Sequence, residues 1–303
     1  MPLRLFPSRR HRSTIASLTA LVVTLALGAC QTSDLALQAP VKSPPVLALA
    51  ATGGSIPPVF GEVLERAPAA IVIDEATGAT IYADDADGLR YPASLSKLMS
   101  LYLVFEQLQS GRLKLDDDLL VSPTAAAKPA VKLGLAPGST IKVRDAIQAM
   151  AVKSTNDVAS VVAENLAGSE EAFARAMTAK ARALGMKHSY FVNPSGLPDP
   201  RQISTAHDMA ILARALRLRF PAYVRLFSEG SFDYAGHHYV STNKLLGKVP
   251  GVDGMKTGYI RASGFHLVVS ASRGGRRVIV VVMGGKTGRA RDERAALLVD
   301  QYL

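Results

Sequence analysis

Ser94 and Lys97 stand three residues apart where a proline-led loop, Tyr91-Pro92-Ala93, runs into an apolar stretch predicted helical over 98–108. Positions three apart share one helix face, so hydroxyl and amine point the same way. A helix N-terminus offers free N–H groups and the positive end of the helix dipole. That setting favours a serine alkoxide and an uncharged lysine, as a serine nucleophile with a lysine base requires. The spacing alone is weak, since a serine at a helix start also reads as an N-cap. Two more short patterns strengthen it. Ser154-Thr155-Asn156 falls between predicted helices 143–152 and 157–166, where side chains project into a cleft. Lys256-Thr257-Gly258 lies on a predicted strand, 255–259. Each is common by chance, but the three in this order and these settings are not. A second Lys-Thr-Gly, at 286–288, follows the last predicted strand after Gly284-Gly285 and reads as a turn.

The elements that must position these residues follow from patterning. Apolar runs 69–74 and 80–83 flank Glu75-Ala76-Thr77-Gly78 and predict a β-hairpin. A loop-rich stretch carries Pro123, Pro129 and Pro137, and further helices are predicted over 170–184 and 207–218. The last opens with Thr205-Ala206-His207-Asp208, a capping box with Asp in place of Glu or Gln, which accounts for His207 and Asp208 without catalysis. Asn193-Pro194-Ser195-Gly196 reads as a structural turn. Strand-like runs 264–272 and 277–283 meet at Arg273-Gly274-Gly275, and a helix over 291–303 ends the chain. Strands at both sequence ends with helices between predict an α/β (α+β) fold. One antiparallel sheet is built from the N- and C-terminal strands and flanked by helices. A mostly helical subdomain is inserted into it, and the site lies between the two.

Composition narrows the function. With 48% hydrophobic and 20% charged residues, the 303-residue chain can bury a substantial core. The net charge of +10 falls to about +6 without Arg4, Arg9, Arg10 and Arg12. No basic cluster is interleaved with aromatics, so nucleic acid is not an expected partner. The six histidines show no metal-ligand spacing, His237-His238 reads as a surface turn beside Gly236, and neither metal nor cofactor is expected.

The first sixty residues predict export. Basic residues at 4–12 precede an apolar core at 15–27, short for a membrane span and suited to a signal peptide over 1–29. Leu27-Gly28-Ala29-Cys30 resembles a bacterial lipobox, which implies lipidation of Cys30, the only cysteine. Gln31 after it resembles an outer-membrane address. Residues 30–60, rich in Ala, Pro, Ser and Thr, read as a flexible tether, and 61–303 as the catalytic domain, without a C-terminal β domain.

The three motifs are those shared by penicillin-binding proteins and class A β-lactamases. The chain resembles the low-molecular-mass penicillin-binding proteins, the serine D-alanyl-D-alanine carboxypeptidases and their endopeptidase relatives, over roughly 60–303. The likeness extends to 177–181 with Leu184-Gly185-Met186, to Phe191-Val192-Asn193-Pro194-Ser195-Gly196-Leu197 and to Val252-Asp253-Gly254-Met255.

The resemblance implies a β-lactamase/DD-peptidase-like fold and a set of roles. Ser94 attacks the carbonyl between two terminal D-alanines, and Lys97 takes its proton. Burial beside Lys256 would hold Lys97 neutral. Asn156 orients Lys97 and the substrate amide, and Ser154, within reach of Lys256, relays a proton to the departing amine. The backbone N–H groups of Ser94 and Tyr259 bind the oxyanion. Lys256, Thr257, Gly258 and an arginine, Arg291 in preference to Arg289, bind the leaving carboxylate. The implied partners are murein stem peptides ending in D-Ala-D-Ala and β-lactam inhibitors, with membrane contact only through the lipid anchor, in the periplasm.

Three rival readings remain. A DD-endopeptidase cutting D-alanyl cross-links shares every motif, and chains ending near this point include such enzymes. A class A β-lactamase needs a deacylating glutamate, yet 189–203 holds Asp199 and no glutamate. A non-catalytic murein-binding protein would not need every catalytic position filled. The carboxypeptidase reading is preferred.

Overall fold

The computed structural model describes residues 66–303. The expected signal segment, Cys30 and the expected tether lie outside them. A five-stranded antiparallel sheet is formed by β1 (Ala69–Asp74), β2 (Thr80–Asp84), β7 (Val252–Ile260), β8 (Gly264–Arg273) and β9 (Arg276–Gly285), in the order β2-β1-β9-β8-β7. It joins the two ends of the described chain, as the strand positions predict, and leaves β7, which carries Lys256-Thr257-Gly258, at an edge. The central strands are apolar at nearly every position because both faces are covered. Ile71, Ile73, Ile279 and Val281 face one core, while Val72, Val278, Val280 and Val269 face a second core with Leu298 and Val299 of α8 (Gly288–Tyr302).

The inserted half is built around α1 (Ser96–Gln109), which is apolar on nearly every side and therefore buried. α4 (Asn156–Ala167), α5 (Glu170–Ala183) and α6 (Ala206–Arg219) pack on it. Short elements that carry no periodic signal complete this half. They are β3 (Asp118–Leu120) paired with β4 (Thr140–Lys142), α2 (Pro123–Ala126), α7 (Pro221–Val224), and the hairpin β5 (Ser231–Tyr234) with β6 (His237–Val240). Among the described residues no helix is long and apolar enough to cross a membrane.

Four local expectations need correction. The predicted helix 143–152 is α-helical only as α3 (Val143–Gln148). Ala149–Lys153 then winds as a π turn and delivers Ser154 in the left-handed region, at φ +69°. Such wide turns free a backbone from helical repeat and occur at functional sites. The second Lys-Thr-Gly is a helix start rather than a plain turn, for Thr287 caps α8 by accepting from the Ala290 N–H at 3.0 Å. His237-His238 opens strand β6, the turn itself being Ala235-Gly236. Thr205 does cap α6, but the Asp208 carboxylate turns away from the capping box. It accepts instead from the His188 N–H and the Ser189 hydroxyl.

Candidate active site

The nucleophile turn is built by backbone geometry. Pro92 precedes Ala93, which adopts φ +49°, and the Leu95 N–H closes on the Pro92 carbonyl at 3.1 Å. Ser94 therefore sits in a tight 3-10 turn, Ala93–Leu95, just ahead of α1, and its side chain caps neither helix. Two glycines allow this turn to be gripped from both sides. A Cβ on Gly196 (φ +84°) would stand 1.8 Å from the Ala93 carbonyl oxygen. One on Gly258 would stand 3.3 Å from the Ser94 and Leu95 nitrogens and the Pro92 oxygen. Strand β7 thus passes directly against the turn, with Gly258, the residue before Tyr259, packed on the Ser94 backbone.

Lys97, one turn into the chain from Ser94, is completely buried. Its Nζ lies 3.1 Å from Ser94 Oγ, 2.8 Å from Asn156 Oδ1 and 2.6 Å from the Ser195 carbonyl. Two of these neighbours only accept, so they take two N–H groups. In the uncharged amine the remaining position is a lone pair, and it faces the serine hydroxyl. Burial drives the Lys97 pKa well below the usual lysine range, the charge of Lys256 pushes it further, and Asp157 opposes. The Asp157 carboxylate is occupied by the N–H groups of Leu133, Gly134 and Val158, at 3.1, 2.9 and 2.8 Å.

Asn156 begins α4 and reads in two directions. Its Oδ1 receives Lys97, while Nδ2 donates to the Pro129 and Ala130 carbonyls, both at 3.1 Å, and its backbone N–H to Val131 at 2.6 Å. The amide orientation follows from those partners. Ser154 Oγ is buried and makes no hydrogen bond, so the expected contact with Lys256 is not formed. Lys256 is buried too, with Nζ donating to the Thr257 carbonyl at 3.1 Å. Desolvation, reinforced by Arg291, lowers its pKa to about 7. The Thr257 hydroxyl donates to Thr242 Oγ1 at 2.7 Å. Tyr259 is 49% exposed and lies over Phe265, ring centroids 4.2 Å apart.

The two candidate arginines differ sharply. Arg289 is 88% exposed at its side chain and pairs with Glu293. Arg291 is buried, donating to the His266 carbonyl and to Asp292. Its charge reaches Lys256, and these bonds engage its Nε and Nη1 within the protein rather than in open solvent.

Patterning missed three contributors. The Ser195 carbonyl is a direct partner of Lys97, although Asn193-Pro194-Ser195-Gly196 reads only as a turn. Asn193 Oδ1 folds that turn by accepting from the Ser195 and Gly196 N–H groups at 3.2 and 2.8 Å. Thr242 and the 129–131 loop come from irregular stretches in which no spacing signals their placement.

Residues 62–287 match the protein family described as D-alanyl-D-alanine carboxypeptidase. The D-alanyl-D-alanine carboxypeptidase DacF of Bacillus subtilis is 34% identical over 245 residues, 79% of this chain and 62% of the relative. DacC of Escherichia coli is 37% identical over 228 residues, covering 73% and 57%. The chain spans about three fifths of the length of the first of these curated relatives. Among solved structures, penicillin binding protein 5 from Haemophilus influenzae superposes with a TM-score of 0.75 at 31% identity, over 82% of this chain and 72% of that one. Penicillin-Binding Protein D2 from Listeria monocytogenes, in its ampicillin-bound form, gives 0.70 at 33%, over 77% and 97%.

Proposed function

We propose that this chain, which belongs to the D-alanyl-D-alanine carboxypeptidase family, is a serine-type DD-carboxypeptidase that trims murein stem peptides through an acyl-enzyme at Ser94. The observation that carries the reading is the buried Lys97 amine, with two carbonyl acceptors and its third position on the Ser94 hydroxyl. A lysine so placed is a base that needs no histidine.

In the forward step Ser94 Oγ bonds to the carbonyl carbon of the penultimate D-alanine while its proton passes to Lys97 Nζ. The oxyanion is met by the Ser94 and Tyr259 N–H groups, which the close passage of Gly258 supports. Collapse breaks the C–N bond, and the departing amine takes a proton through the Ser154 and Lys256 side of the cleft, while Lys97 returns to that relay the proton it took from Ser94 and is neutral again. The unpartnered Ser154 hydroxyl and the near-neutral pKa of Lys256 fit that relay. Lys256 and Thr257 hold the leaving carboxylate, with Arg291 adding its charge to the same region. Water then attacks the acyl carbon, giving its proton to the neutral Lys97, which passes it to Ser94 Oγ as the ester bond breaks and the shortened peptide leaves. A β-lactam would enter by the same acylation and remain bound, since the stretch 189–203, where a class A β-lactamase would carry its deacylating glutamate, holds none.

The decisive assay incubates purified protein with a pentapeptide ending in D-Ala-D-Ala and with a cross-linked muropeptide dimer. Release of D-alanine from the monomer is expected, along with covalent labelling by fluorescent penicillin that Ser94→Ala abolishes. Consumption of the dimer alone would assign an endopeptidase, and rapid nitrocefin turnover a lactamase. Export and lipidation of Cys30 at the outer membrane complete the proposal. The basic and apolar leader and the Leu27-Gly28-Ala29-Cys30 pattern support them, and metabolic palmitate labelling that Cys30→Ala removes is the check.

A further inference from the structure

His266 takes no part in the chemistry above, yet it is fully buried in the sheet within reach of the nucleophile turn. It lies on β8 directly opposite Gly258 of β7, the glycine packed against Ser94. Between Phe265 and Leu267 the pairing of β8 with β9 shifts, with Phe265 opposite Gly285 but Leu267 opposite Val282. β9 therefore carries one extra residue there, a bulge that releases a backbone N–H from the ladder. Gly284, at φ +74°, is in this bulge, and its N–H donates to His266 Nδ1 at 3.0 Å. An imidazole accepting at Nδ1 carries its proton on Nε2. That N–H points to the Tyr91 carbonyl at 3.0 Å and to Ser263 Oγ at 2.8 Å.

Tyr91 is the residue before Pro92, where the nucleophile turn begins. One ring thus ties three segments: the bulge in β9, the partner of the Gly258 strand, and the entry to Ser94. We propose that His266 is a positioning residue for acylation, its Nε2–H bond to Tyr91 holding the Ser94 turn in register with the oxyanion strand. The proposal rests on Ser94 being the nucleophile.

Two amide substitutions separate this role from a purely structural one. In His266→Gln the amide extends to where Nε2 lies and keeps a donor for Tyr91. In His266→Asn it stops where Nδ1 lies, keeping an acceptor for Gly284 but losing the Tyr91 tie. The acylation rate constant with fluorescent penicillin is measured per folded molecule, with folding checked by thermal unfolding. The Gln variant is expected to acylate close to the wild-type rate and the Asn variant about 100-fold more slowly, as ångström-scale misplacement of a nucleophile entails. Should the Asn variant not fold, His266→Met, of similar reach but without a donor, takes its place. Wild-type rates in the Asn or Met variant, or a Gln variant as slow as they are, overturn the assignment. Absence of any Ser94-dependent labelling in the wild-type protein overturns instead the reading on which it rests.

Discussion

Replacing Lys256 by methionine is expected to make the protein more stable while disabling it. The lysine is buried with a pKa lowered from 10.5 to about 7. At about 1.36 kcal/mol per pK unit, holding the ammonium in the folded state at or below pH 7 costs roughly 5 kcal/mol relative to the unfolded chain. Methionine fills similar volume without that cost. Losing the bond from Nζ to the Thr257 carbonyl takes back about 1 kcal/mol. The net gain of roughly 3–4 kcal/mol corresponds to a Tm rise of about 5–10 °C for a domain of this size. The sign of the pH dependence is specific. Between pH 7 and 10.5 the unfolded chain binds the proton that the folded chain has released, so wild-type stability climbs with pH through that window. The advantage of the variant must therefore shrink by pH 10. Activity moves the other way, because Lys256 also lowers the Lys97 pKa. Removing it should shift residual penicillin acylation to higher pH and cut its rate about 100-fold or more at neutral pH. Urea unfolding at pH 7 and pH 10, read beside acylation rates, tests both halves. A variant no more stable than wild type at pH 7, or equally advantaged at both pH values, would refute the assignment of a strained buried ammonium.

Three further perturbations probe the same construction. Asn156→Asp sets a carboxylate against Lys97 Nζ, favours the ammonium and should lower acylation about 100-fold at pH 7, with partial recovery in alkaline buffer visible by fluorescent penicillin labelling. Gly196→Ala meets the Ala93 carbonyl at 1.8 Å from a backbone at φ +84°, so a loss of about 2–4 kcal/mol in urea unfolding is expected, and unchanged stability would contradict the close approach. His266 has its pKa lowered from 6.5 to about 4, chiefly by burial, with Arg291 and Arg90 opposing its charge. The folded state thus binds fewer protons than the unfolded one in that window, and falling from pH 6.5 to 4 should remove about 3 kcal/mol of stability, a slope that His266→Gln flattens in denaturant titrations at several pH values.

What the sequence reveals and conceals here has a physical basis. The two-sided core makes the central sheet strands apolar at nearly every position, and α1 is apolar on nearly every side, so both announce themselves to patterning. Ser94, Lys97, Asn156 and Lys256 are legible because each lies in a short motif at a recognisable boundary, and the structure brings Lys97 against two of the others. The Ser195 carbonyl is not legible, because any residue type has a carbonyl and only the fold decides which one meets Lys97. The π turn before Ser154 also escapes, since its residues, Ala149 to Lys153, keep an ordinary helical composition. His266 reads as one more apolar-strand histidine until the bulge at Gly284 gives its ring something to bind.

In the proposed mechanism the wide separation of the motifs along the chain follows from what a lysine base demands. Lys97 must be dry to stay uncharged, and a dry amine must still place each N–H on an acceptor. No single helix can supply both, because the carbonyls of its own interior are already bonded to one another. The acceptors therefore come from elsewhere: Asn156 from the start of α4 and the Ser195 carbonyl from a turn ninety-eight positions on. The oxyanion donors face a related constraint. In the proposed mechanism they must be backbone N–H groups free of helix and ladder, which points to a tight turn and the unpaired edge of a sheet, here Ala93–Leu95 and β7. Bringing that edge to that turn is possible only where no side chain intervenes, hence Gly258 on one flank and Gly196 on the other. Bulk added at Gly258 would part the nucleophile turn from the β7 edge while leaving Ser94, Lys97 and Asn156 unchanged, so Gly258→Ala is expected to slow penicillin acylation far more than it lowers stability in urea, whereas Gly274→Ala at an exposed turn leaves acylation near the wild-type rate.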